Sequence, residues 1–80
     1  MQATANKDRD SSTALLMITA RHDSQKDIDH MERLVAYLVE NEHAEEIYGE
    51  DDHIIGLGVP AFTCKEALDL YKHAKKITKG

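Results

Sequence analysis

The phase of the segment from Ile28 to Glu45 limits what this chain can fold into more than any other feature. At about 100° per residue, Ile28, Met31, Leu34, Val35, Leu38 and Val39 fall on one arc, which marks an amphipathic helix laid on a core. Continuing that helix would carry Glu42 and Glu45 onto the same arc, and burying two unpaired carboxylates is costly. The helix is therefore predicted to stop near Asn41. Ser24 is a good N-cap, and Asp27 stands three residues on, a capping-box arrangement with Asp in place of Glu or Gln.

The flanking segments are read against that helix. Ser12 to Ala20 holds the apolar run Ala14-Leu15-Leu16-Met17-Ile18 between polar residues, which suits a buried strand. Glu45 to Tyr48 and His53 to Leu57 read as two strands of a hairpin joined by a turn over Gly49 to Asp52. Thr63 and Glu66 form a second capping box, after which Cys64, Ala67, Leu68, Leu70, Tyr71, Ala74 and Ile77 share an arc. Residues 1–11 are polar and aperiodic and are expected to be a disordered arm, with residues 12–80 forming a single domain.

The expected class is α+β, a two-layer β-α-β-β-α sandwich. That is the order of a ferredoxin-like unit without its last strand. Such a sheet has an exposed edge, which a second copy could cover. The alternative is a small three-helix domain, should the segment around Leu15 be helical.

Eighty residues with 41% apolar content support one core and little more. Short chains of this kind often gain burial by associating, so a homodimer is expected. The one cysteine, Cys64, rules out an internal disulfide. No apolar run approaches the length of a membrane span, and the N-terminus lacks a signal-peptide layout. A cytoplasmic, intracellular setting is expected, with no membrane partner. The net charge of -5 argues against nucleic acid as a partner. The charge is also segregated. Residues 40–52 hold seven carboxylates and no Lys or Arg, whereas residues 65–80 hold five lysines against Glu66 and Asp69.

Four constellations could carry chemistry. Gly56, Gly58 and Thr63 outline a strand-glycine-helix junction able to hold an anion on free N–H groups. No P-loop or dinucleotide fingerprint accompanies it, and the glycines equally suit a strand end. Cys64 stands at a helix N-terminus, where a thiol can be activated, but its phase puts it on the apolar face, where a thiol is inert. The histidines His22, His30, His43, His53 and His73 include two pairs at ligand-like spacing, Glu40 with His43 and Asp69 with His73. No third ligand is evident, so no metal site or cofactor is assigned. Last, Glu45, Glu46, Tyr48, Glu50, Asp51 and Asp52 form an acidic hairpin with an aromatic anchor, suited to docking a protein partner, possibly a basic one.

The acidic hairpin leads to the main reading. The chain is expected to be a small protein-protein interaction module, regulatory or inhibitory, self-associating and without a complete catalytic set. An anion- or phosphate-binding domain built on Gly56 to Thr63 is the second reading. A small dimeric ferredoxin-like enzyme, with His53 and Tyr48 at a shared cleft, is the third, and it rests on fold analogy alone.

Overall fold

The computed structural model describes residues 1–7, 12–48 and 54–79, and the side chains of 54 and 55 stand outside the description. Its elements are β1 (Gln2–Asn6), β2 (Thr13–Thr19), α1 (Gln25–Asn41), β3 (Glu45–Tyr48), β4 (Ile54–Pro60) and α2 (Cys64–Ile77). The strands form one antiparallel sheet in the order β1-β2-β4-β3, so the chain is α+β. The three-helix alternative falls, because Thr13–Thr19 is a strand. It pairs on both sides, with β1 and with β4, and of its apolar run Ala14 and Leu16 are buried.

The β-α-β-β-α order over residues 13–77 stands as expected, but the expected disordered arm is corrected. Gln2–Asn6 is strand β1, paired with β2 at Ala3↔Ile18 and Ala5↔Leu16. The only apolar residues in that strand are alanines, too small to give a readable alternation. Pairing with β2 and packing beneath α2 supply what its side chains lack. β1 occupies the sheet position beside β2 that the missing last strand would have taken. The edge expected to be open is therefore covered from the N-terminal side. Residues 8–11 lie outside the described residues.

Both helices lie on one face of the sheet. Leu16, Leu34, Leu38, Leu57 and Val59 are fully buried, joined by Ala14, Ala44, Ala61, Ala67, Tyr71 and Ala74. Leu16 and Leu57 are direct cross-strand partners, so the two central strands place their largest side chains together under the helices. α2 packs over β1 and β2, and α1 packs against α2. His30 Nε2 of α1 lies 3.1 Å from the Lys75 carbonyl and 3.0 Å from Thr78 Oγ1, and Arg33 Nε donates to the Thr78 carbonyl. One helix thus satisfies end groups of the other, where carbonyls lack partners within their own helix.

The helix ends follow the sequence reading. The backbone N–H of Asp27 donates to Ser24 Oγ, and that of Glu66 donates to Thr63 Oγ1. α1 stops at Asn41, and His43 then takes a left-handed φ of 57°. That turn sends Ala44 into the core and lets its N–H return to the Leu38 carbonyl. Asp27 departs from the reciprocal box. Its carboxylate accepts from the Arg21 backbone N–H at 2.7 Å and meets the Met1 amine at 3.1 Å. The Arg21 hydrogen bond, then the one from the amine, hold this carboxyl below its ordinary value of 3.8.

Two tests follow from this arrangement. Removing residues 1–7 should lower the urea midpoint and promote aggregation, because it bares the edge of β2. An unchanged midpoint would show that β1 contributes nothing. The lowered Asp27 pKa gives stability that is present above about pH 3.8 and lost as pH falls through the lower folded value. Denaturant midpoints at neutral pH and near pH 3 should therefore diverge less in Asp27→Asn than in the wild type.

Candidate functional site

Strand β3 divides the acidic hairpin between the two faces of the sheet. Glu46 pairs with buried Leu57, so it points to the helix side, while Glu45 pairs with Gly58 and Ile47 with Gly56 on the open side. Tyr48 lies two residues beyond Glu46, and its hydroxyl donates to Glu46 Oε2. Glu45 and Glu46 therefore do not act on one surface. Glu50, Asp51, Asp52 and His53 lie outside the described residues.

Next to Glu46 the helix layer stands off the sheet. A cleft of about 260 Å³ opens there, floored by Leu16, Ile18 and Leu57 and walled by Met31, Val35 and Ala36 of α1. Glu32, Glu46 and Gly56 complete its lining. Val39, one helical turn beyond Val35, is 37% exposed, and Tyr48 is 54% exposed. These two extend the apolar surface past the cleft. Among the described residues neither Glu32 nor Glu46 is in an ion pair. The arrangement suits an apolar group carried beside a cation: the lining removes apolar surface from water and the carboxylates neutralise the charge.

The anion reading of Gly56, Gly58 and Thr63 loses its geometric basis. Both glycines sit inside strand β4 with no positive φ, not in a phosphate-cradling loop. The role of Gly56 is steric. A Cβ on Gly56 would stand 2.8 Å from Leu15 Cδ1 and 3.2 Å from the Leu16 carbonyl oxygen. One on Gly58 would meet only Ile47 Cδ1, at 3.6 Å, and the Glu45 carbonyl oxygen, at 3.9 Å. Thr63 caps α2, and Glu66 turns its carboxylate to the Phe62 N–H.

The other candidates are scattered. Cys64 is half-buried at the first turn of α2, while Ala67, Tyr71 and Ala74 fill the centre of that helix's apolar face. The phase argument for Cys64 placed it deeper than it lies, because the first turn reaches the rim of the core. His22, His43 and His73 are exposed, and His30 is engaged with the end of α2. Among the described residues no three of His, Cys, Asp and Glu gather as metal ligands.

Sequence reasoning missed Glu32 and the cleft itself. It also missed Phe62, which is 78% exposed where the chain leaves β4. Val39 carried the available signal, standing at the end of the apolar arc with no guaranteed cover. Burial by desolvation raises the Tyr71 phenol above its ordinary 10.0, with the Asp27 charge adding to it, so this ring is neutral core material near neutral pH.

No family model, no curated protein and no solved structure matches this chain.

The glycine geometry gives a paired test. Gly58→Ala should keep or raise stability by about 0.5–1 kcal/mol, since Ala suits a strand better and has room. Gly56→Ala should lower it by about 1–3 kcal/mol through crowding against a backbone carbonyl that cannot rotate away. Denaturant unfolding of both at low protein concentration decides the matter, and equal effects would refute the steric assignment.

Proposed function

We propose that this chain is a non-enzymatic protein-interaction module of regulatory type. It binds a partner segment that carries an apolar side chain flanked by Lys or Arg. The cleft between α1 and the β3 side of the sheet carries this reading, because it joins an apolar lining to two carboxylates outside any described ion pair. The surrounding sequence supports the same partner chemistry, with no Lys or Arg from Glu40 to Tyr48. A basic segment gains speed of encounter from that field, and its apolar anchor supplies the lasting affinity.

The partner segment is extended. β3 is an edge of the sheet, so a strand can add along it and send alternate side chains toward the cleft. Three features keep that edge from pairing indiscriminately. The strand is only four residues long, with two glutamates, and its register shifts between Ile47 and Tyr48.

A random peptide library displayed on phage tests this proposal directly. Selected peptides should combine an apolar residue with neighbouring Lys or Arg. As synthetic peptides they should weaken with salt and lose about tenfold or more in affinity to Glu32→Lys/Glu46→Lys. Selection without basic bias, or equal binding by the double variant, would sink the proposal.

A further inference from the structure

Opposite the helices, alternation and register place two rows of side chains on the open face of the sheet. One row is Thr4, Met17, Gly56 and Ile47, and the other is Asn6, Leu15, Gly58 and Glu45. Met17 comes opposite Gly56 when the β2–β4 register is carried one residue past Leu16↔Leu57. Met17 is 41% exposed and Ile47 36% exposed, while Leu15 is half-buried. Charged residues make up 31% of the chain, yet Glu45 is the one charge in these two rows, and it lies on an edge strand.

We infer that this open face is the interface of a homodimer, two copies stacking sheet on sheet about a two-fold axis parallel to the strands. Charge selects the face. A chain of net charge -5 repels its own copy over most of its surface, and these two rows offer an approach with almost no charge to oppose. Shape selects the axis. A two-fold between β2 and β4 lays β2, with Leu15 and Met17, over the glycine-bearing β4 of the second copy. Large side chains then face small ones in both directions, as an isologous contact requires.

Gly58 is the receiving point. A dent of about 410 Å³ lies there, with Leu15, Gly58, Ile47 and Thr13 in its lining. Gly56, by contrast, is already overhung by Leu15.

The size of the face sets the expected strength. Four strands spaced at about 4.8 Å and roughly 20 Å long give on the order of 400 Å² of projected face per copy. Stacking two copies buries on the order of 1,000 Å² in all, at the lower end for specific interfaces, so a micromolar dimer is expected.

The test is sedimentation equilibrium on the full chain from about 1 μM to about 1 mM, at low and high salt. The wild type should dimerise and largely resist salt, and Met17→Glu/Ile47→Lys should weaken the dimer by at least about tenfold. Gly58→Val should also weaken it by filling the dent. Glu32→Lys/Glu46→Lys, on the other face, should leave the dimer intact, which separates this inference from the cleft proposal. Methyl NMR of the wild type adds a readout that no variant's folding can confuse. Leu15, Met17 and Ile47 signals should move with concentration while those of Leu34 and Leu38 stay. A monomer throughout, or a dimer whose concentration-dependent signals lie elsewhere, would overturn the inference.

Discussion

The pairing of β2 with β4 is the interaction on which the rest of this structure depends. It sets Leu16 against Leu57 on one face and Leu15 against Gly58 on the other. On the first face it makes the floor on which Leu34 and Leu38 of α1 and Ala67 and Ala74 of α2 are buried. Because side chains alternate along a strand, a slip of one residue would turn the glycines inward and the leucines out. β1 and β3 then attach to the outer sides of this pair, in a register that continues its alternation along β1 and, in β3, from Glu45 to Ile47.

The two faces that result have opposite character. On the helix side, beside β3, α1 stands away from the sheet and a cleft lined by Met31, Val35 and Ala36 remains. Its charges are the carboxylates Glu32 and Glu46. The open side is nearly neutral, with Leu15, Met17 and Ile47 set among threonines and glycines. The proposed partner site and the proposed dimer face fall on opposite sides of the sheet for one reason: a single strand, β3, sends Glu46 and Ile47 in opposite directions. Binding on one side leaves the other free, so the proposed cleft would be present twice in the proposed dimer. Two linked sites can then raise the effective affinity for a partner that carries two suitable segments.

The legible parts of the fold are those whose signals are local. α1 shows itself by its apolar arc, by Ser24 at its start and by the carboxylates that forbid its extension. α2 shows itself by Thr63 and the arc through Ala67, Tyr71 and Ala74. The strand at Thr13–Thr19 is legible because its apolar residues are large. β1 is not, since Ala3 and Ala5 signal nothing until β2 lies beside them. Tyr48 and Glu46 could be picked out as acidic-aromatic neighbours, and they do meet. Glu32 could not be joined to them, because nothing in its own segment shows which part of the sheet α1 will overhang.

By itself, then, the sequence determined the two helices with their caps and ends, the strands of large apolar residues, and the segregation of charge. Each of these rests on neighbours within a few residues, where periodicity and capping chemistry operate. Only the tertiary structure decided that the N-terminal segment is the fourth strand, and that Gly56 and Gly58 stand inside β4 rather than in a loop. It alone placed Glu45 and Glu46 on different faces and left the cleft open beside α1. Those outcomes depend on register and on the stand-off of a helix from a sheet. Both are set by which distant side chains meet in the core, which no local pattern records.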